Sequence, residues 1–210
     1  MSTAEKRRLT PQEYLALDEA SEIRHEFLDG EIFAMSGASF WHTLIKDNLS
    51  QALRNRLAAK DANDCYVLTS DQRAKVSATG LYTYPDILIC CGGPVFDEEI
   101  RNTLVNPRVL IEVLSESTER YDRGAKFGHY RQLASVQEYL LIAQDRPCVE
   151  RFIRQAAGGG KSAAADNWLL TAVTDLAAAV EIASVGVTVP LADIYERVEF
   201  PPLKDEAEAR

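Results

Sequence analysis

Apolar positions recur at helical spacing between Ser39 and Ala59. The stripe Ile45, Leu49, Ala52, Leu53 and Leu57 predicts a long helix with one buried face. Upstream, Thr10-Pro11-Gln12-Glu13 combines an N-cap, a proline at the first helical position and a capping-box glutamate, which predicts a short helix to about Glu19. Arg24 to Ser36 then reads as two strands turning at Asp29-Gly30. The pattern changes after the long helix. Tyr66 to Val76 predicts one strand or a bent pair, and Tyr82 to Cys91 another, with Ile87-Leu88-Ile89-Cys90-Cys91 unbroken in hydrophobicity. Such a run suits a strand buried on both faces. Val109 to Leu114 repeats the pattern, a helix follows from about Asp122 to Leu133, and Glu138 to Ala143 is a third apolar strand. By the usual crossover rule this strand-helix-strand segment predicts a parallel, right-handed unit.

Beyond Val149 the chain reads as peripheral β-structure. Val149 to Arg154 and Trp168 to Val173 are separated by a turn through Gly158-Gly159-Gly160, and Leu191 to Arg197 suggests a last short helix. The expected class is α/β (α+β): a mixed central sheet flanked by helices, with an N-terminal helix-hairpin and a C-terminal β extension. No repeat or interdomain linker interrupts it. The expectation is one domain over residues 1–210, with a core of about 10–200 and a charged, frayed tail from about 203 to 210.

Composition changes this picture little. Apolar residues are 46% and charged residues 26% of 210, ordinary for a globular chain. No apolar run reaches the roughly 18 residues that span a bilayer, and Met1 to Leu9 lacks an apolar signal core. Cytoplasmic residence is the expectation. Cys65, Cys90, Cys91 and Cys148 form no C-x-x-C pair, so they are read as free thiols, with Cys90 and Cys91 on opposite faces of a strand. The formal net charge of −9 weighs against non-specific nucleic-acid binding, but it says nothing of where cations cluster.

Two apolar strands each carry an acid. Asp86 follows Tyr84-Pro85, and Glu112 sits inside Val109-Leu110-Ile111-Glu112-Val113-Leu114. A carboxylate in such a strand needs a base, a hydrogen-bond network or a metal. A lone one is more often in a structural ion pair; two on neighbouring core strands point to a hard divalent cation.

The ordered set Tyr84-Pro85-Asp86, Ile111-Glu112-Val113-Leu114-Ser115 with Ser117-Thr118, Asp122 to Tyr130 and Glu138-Tyr139 resembles the Uma2 family of restriction-endonuclease-like proteins, in the PD-(D/E)XK superfamily. The resemblance extends to Glu26-Phe27-Leu28-Asp29-Gly30-Glu31, to His42 and to Leu191-Ala192-Asp193-Ile194-Tyr195, and covers Thr10 to about Phe200. It implies a restriction-endonuclease-like core and Mg²⁺-dependent phosphodiester hydrolysis, with Mn²⁺ as a substitute. Asp86 and Glu112 match the metal-binding acids, and the Val113 carbonyl is a further ligand. The superfamily lysine two residues after the second acid is absent, since that position is Leu114. The resemblance offers Lys126 instead, at i+4 from Asp122 and four before Tyr130. The competing reading is an exposed lysine on a solvated helix.

Glu26 matches an acid on the N-terminal strand: a second metal contact, a carboxylate that holds a metal-bound water, or one half of a surface cross-strand pair. His42 suits a phosphate contact or a hydrogen bond near its helix start. Asp71, Gln72 and Arg123 are candidate substrate contacts, and Tyr130 is read as packing against the sheet. From Ser115 to Arg131, Arg120, Arg123, Lys126 and Arg131 outnumber Glu116, Glu119 and Asp122, which suggests a local basic face. Two functions follow. One is a metal-dependent endonuclease acting on nucleic acid, DNA in the first place, as a homodimer with no membrane partner. The other is an inactive protein of nuclease fold that binds partners or assembles into oligomers.

Overall fold

The computed structural model describes residues 7–35, 37–60, 64–155 and 167–201. The Gly158-Gly159-Gly160 turn and the charged tail fall outside them, as does most of the polar N-terminus.

The local signals act where the sequence puts them. Helix α1 (Pro11–Ala20) begins with Thr10 accepting from the Glu13 amide while Glu13 reaches back to Thr10. Strands β1 (His25–Leu28) and β2 (Glu31–Ala34) turn through Asp29 and Gly30, with φ of 50° and 81°, the left-handed pair that a two-residue hairpin needs. Helix α2 (Phe40–Ala59) is capped by Ser39, whose hydroxyl accepts from the His42 amide.

The next two expected strands each divide. β3 (Cys65–Thr69) and β4 (Arg73–Val76) are separated by a turn closed by the Gln72 amide on the Thr69 carbonyl at 2.9 Å. β5 (Leu81–Thr83) and β6 (Ile87–Cys91) are separated around Pro85, which has no N–H to give a ladder. The first break is the bent pair allowed for between Tyr66 and Val76 and falls at the polar Ser70-Asp71-Gln72; the apolar run after Pro85 hides the second. Their consequence is architectural: the chain leaves one sheet after β3, builds another with β4 and β5, and returns at β6.

A six-stranded sheet holds β3 and β6, then β8 (Val109–Val113), β9 (Glu138–Ile142), β10 (Val149–Arg154) and β11 (Trp168–Val173), in the order β11-β10-β9-β8-β6-β3. Only β8 and β9 are parallel within it. Of the peripheral β-structure expected after Val149, β10 and β11 form the edge of the main sheet. A five-stranded sheet runs β2-β1-β5-β4-β7, where β7 is Thr103–Leu104. A hairpin of β12 (Ala179–Ile182) and β13 (Val187–Pro190), absent from the sequence reading, precedes a short α5 (Leu191–Ile194).

Both faces of the six-stranded sheet are buried. Ile87, Ile89, Val109, Ile111, Val113, Leu140 and Ile142 pack against α2, α5 and the β12–β13 hairpin. Leu88, Cys90, Leu110, Leu114, Tyr139 and Leu141 pack against Ala74, Val76 and Leu81 of the five-stranded sheet and against Tyr130 and Leu133. The second face forms a seam between the two sheets.

The expectation of four free thiols is overturned at two positions. Cys65 and Cys91 stand opposite each other on β3 and β6 and are joined in a disulfide. Cys90 points to the other face and is a buried free thiol, as is Cys148. Strand register brings the first pair together, and the 26 residues between them conceal it.

Candidate active site

The pairing of β6 with β8 sets Ile87 opposite Ile111, so Asp86 and Glu112 come opposite each other on the seam face. Each carboxylate holds the other's strand. The Val113 amide donates to Asp86 Oδ2 at 2.8 Å, and the Asp86 amide to Glu112 Oε2 at 3.3 Å. Glu26 reaches the same seam from the five-stranded sheet, where Thr83 donates to it.

The connection from β8 to β9 carries Lys126. Its helix is α3 (Glu119–Tyr121), a π-helical turn Asp122–Lys126 and α4 (Phe127–Tyr130). The wider turn keeps Asp122 and Lys126 both directed into the seam, and such turns are frequent at functional sites. Lys126 Nζ lies 2.9 Å from Glu112 Oε1, 3.1 Å from Glu26 Oε1 and 3.5 Å from Asp122 Oδ1. Tyr130 donates to Glu112 Oε1 at 2.8 Å, so it both packs and hydrogen-bonds. At the rim, His42 Nε2 lies 3.1 Å from Asp86 Oδ2.

The electrostatics follow from burial. Glu26, Glu112, Asp122 and Lys126 are all buried. Removal from water pushes the Glu112 carboxyl up to about 8; Lys126 pulls it down, and Asp86 and Asp122 push it further up. Burial likewise raises Asp122 against the pull of Lys126. Burial on its own would lower Lys126, but Glu112, Tyr130, Glu26 and Asp122 outweigh it and hold the ammonium well above its ordinary range. Burial and the Glu112 charge keep the Tyr130 phenol protonated, so it stays a donor. Three acids, Glu26, Glu112 and Asp122, therefore surround Lys126, with Asp86 facing Glu112, and the cluster has room for further positive charge.

Among the described residues no three His, Cys, Asp or Glu side chains form a ready cage for a metal ion. The donor set still fits a hard divalent cation. Mg²⁺ commonly takes one or two carboxylates and fills its remaining positions with water and phosphate oxygens. Glu112 Oε1 is taken by Lys126 and Tyr130. Oε2, held by one long backbone bond, remains on the Asp86 side.

The sequence profile described as "Uma2: Putative restriction endonuclease" matches residues 11–189. The chain belongs to the Uma2 family. Two relatives come from Synechocystis sp. (strain ATCC 27184 / PCC 6803 / Kazusa). The uncharacterized protein slr1290 is 32% identical over 193 residues, 92% of this chain and 94% of the relative. The uncharacterized protein sll1609 is 34% identical over 171 residues, 81% of this chain and 90% of the relative. The crystal structure of a putative nuclease belonging to DUF820, from Anabaena variabilis ATCC 29413, superposes with a TM-score of 0.70. That match has 18% identity and covers 91% of this chain and 99% of the other, so the two share a fold.

Of the residues singled out in this Uma2 chain, the structure gathers Asp86, Glu112, Lys126 and Glu26, with His42 at the edge. Others lie outside the cluster's contacts. Asp71 is exposed and lies 3.9 Å from Arg24. Gln72 spends its amide on the carbonyls of Arg73 and Asn102. Arg123 is paired with Glu119 and Glu150. Two of the four cations of the expected basic face are thus spent, since Lys126 is buried among acids and Arg123 is salt-bridged. Asp122 and Thr83 were missed as members. Asp122 had a signal, its i,i+4 spacing from Lys126; Thr83 had none, because its place depends on the pairing of β1 with β5.

A second buried network lies behind Tyr84. Asp18 accepts from Tyr84 at 2.5 Å and from the His25 amide at 2.8 Å, and Arg73 Nε donates to the Tyr84 hydroxyl at 2.8 Å. This anchors the residue two before Asp86. No sequence motif signalled it. Among the described residues no helix is long and apolar enough to cross a membrane.

Proposed function

We propose that this chain is a metal-dependent endonuclease that hydrolyses phosphodiester bonds of nucleic acid, DNA in the first place. The observation that carries the reading is Lys126 Nζ, seated 2.9 Å from Glu112 Oε1 on an acid that faces Asp86 across two paired strands. It supplies from a helix the cation that Leu114 cannot. Family membership and the shared nuclease fold support the same reading.

Asp86 and Glu112 would hold a Mg²⁺ or Mn²⁺ ion, and the Val113 carbonyl would be a third protein oxygen for it. When bound, such an ion neutralises charge on the attacked phosphate and acidifies a coordinated water. The chain's own groups do the rest. The Val113 amide fixes Asp86 Oδ2, and His42 stands against the same oxygen, so Asp86 presents its other oxygen at one angle. Tyr130 fixes Glu112 Oε1. Lys126 keeps its proton because its acidity is suppressed, which makes it a fixed positive charge facing the charge that develops on the phosphate and not a proton acceptor. Glu26 and Asp122 hold that ammonium in place.

The test is incubation of the full chain with supercoiled plasmid, single-stranded DNA and RNA, with Mg²⁺, with Mn²⁺ and with chelator. Asp86→Ala is the control. Metal-dependent cutting lost in Asp86→Ala is the expected result. No cutting of any polymer would leave the alternative, a nuclease fold used for binding. Sedimentation of the same samples checks for a homodimer.

A further inference from the structure

We infer that the substrate is single-stranded or locally unpaired nucleic acid, held by base stacking on Phe40 and Trp41 and by a phosphate contact to Lys46. This deepens the endonuclease reading and rests on it for the position of the reacting phosphate.

The first observation is depth. Glu112 and Lys126 are 4% and 5% exposed, at the seam of two sheets. The phosphates of an intact duplex are held on a wide, stiff cylinder, whereas a flexible strand can be drawn into a seam. The second is an aromatic rim. Phe40, in the first turn of α2, is 72% exposed, and its ring meets Trp41 at 5.0 Å and 77°. Both directly precede His42, whose ring touches Asp86. The start of α2 is tied to this end of the sheet by Ser39 donating to Gln144, just beyond β9. On the other side of the seam, Phe33 of β2 is the cross-strand partner of Glu26, so the two share a face, and Phe33 is 49% exposed. Exposed rings thus lie on two elements that reach the seam, α2 with His42 and β2 beside Glu26. Aromatic rings stack on unpaired bases, and bases inside a duplex offer no free face.

The third observation is charge. Lys46 follows His42 by one helical turn and lies on the same side of α2. Its ammonium bonds the neutral Ser70 hydroxyl at 3.2 Å, and among the described residues it has no carboxylate within ion-pair distance. Ser70 follows β3, and β3 pairs with β6 so that Thr69 lies opposite Ile87, which brings Lys46 to the Asp86 end of the sheet. The rim thus has aromatic rings beside a cation, on a chain whose net charge is −9. That combination suits a short footprint on a few phosphates and not a long duplex contact, which needs many lysines and arginines.

The test is binding to the full chain in chelator, where no cleavage occurs. The probes are a labelled oligothymidylate of roughly 12 nucleotides, near the footprint of one small binding surface, and a duplex of equal length. Single strand is expected to bind at least about tenfold more tightly than duplex and to quench tryptophan emission, because stacking of this kind is sequence-tolerant and strong. Trp41→Phe should remove the quenching and leave only Trp168. Phe40→Ala should weaken single-strand binding about tenfold with an unchanged melting temperature. Lys46→Gln should reduce the salt dependence by about one phosphate contact.

Equal or tighter duplex binding overturns the inference, as does Phe40→Ala with wild-type affinity. So does a Phe40→Ala protein that changes from dimer to monomer while still binding the oligonucleotide, since the rim would then be a contact between copies of this chain. The two readings fail separately. Plasmid cut in an Asp86-dependent way, with Phe40→Ala at the wild-type rate, removes this inference and leaves the nuclease. Single strand bound but nothing cut with Mg²⁺ or Mn²⁺ removes the nuclease and leaves the stacking rim.

Discussion

Asp86 and Glu112 brace each other's strands: the Asp86 carboxylate accepts from the Val113 amide, and the Glu112 carboxylate accepts from the Asp86 amide. Each acid is therefore oriented by backbone, the stiffest donor available. Substitution at either position alters a strand contact as well as a charge, so activity and stability must be measured together.

Lys126→Met removes the single ammonium among Glu26, Glu112 and Asp122. In metal-free buffer this should cost about 3–5 kcal/mol, because buried carboxylates lose their counter-charge. Added Mg²⁺ should recover part of the loss, by replacing one cation with another. Denaturant melts with and without metal check this. Cleavage at saturating metal should fall sharply, and a wild-type rate would remove Lys126 from the mechanism.

Glu112→Gln keeps shape and removes charge. The folded carboxyl is raised to about 8 by burial, so its proton is held more tightly folded than unfolded. The stabilisation this gives is full below its ordinary range near 4.5 and is lost as pH rises through about 8. Without metal, wild type and Glu112→Gln should differ little at about pH 5, and the glutamine form should gain relative stability by about pH 9. Metal uptake by wild type should release a proton and tighten over the same rise. Paired melts and metal titration across pH read both. Relative loss of stability in Glu112→Gln at high pH would instead mark an ion pair required for folding.

Much of this was legible in the chain. The capping box at Thr10, the Asp29-Gly30 turn and the α2 stripe are local signals, and each formed what local physics asks. The approach of Asp86 to Glu112 was readable because two apolar runs each carried one acid. Thr83, the Asp18 network and the Cys65–Cys91 bond were not readable, since each depends on strand register between segments with no shared motif. The division at Pro85 was written in the sequence, but the apolar run after it masked the change of sheet.

Asp18→Asn should cost about 3 kcal/mol, because Asp18 is fully buried and accepts from the Tyr84 hydroxyl, Arg73 and the His25 amide. Through Tyr84 it should also loosen Asp86 and weaken metal binding. Tyr84→Phe keeps the ring and removes one bond, so it should reproduce a smaller part of both effects. Thermal melts and metal titration distinguish the two. Unchanged metal affinity in both variants would confine the network to stability.

Reducing the Cys65–Cys91 bond should lower stability by about 3–4 kcal/mol, on the loop-closure entropy of the 26-residue separation. Melts of the oxidised protein, the reduced protein and Cys65→Ser measure it. Single-strand affinity should be unaffected, because the bond joins the opposite end of β6 from Asp86.

Lys126 touches Glu26 on one sheet and Glu112 on the other, across one hundred positions of chain. A nascent chain finishes the strands of the five-stranded sheet, the last of them Thr103–Leu104, before Glu112 and Lys126 are made, so it would own Glu26 and Asp86 and still lack the full pocket. On the endonuclease reading, competence would arrive only once Lys126 has joined the two sheets, and a partly made chain would have little capacity to damage the cell's own nucleic acid.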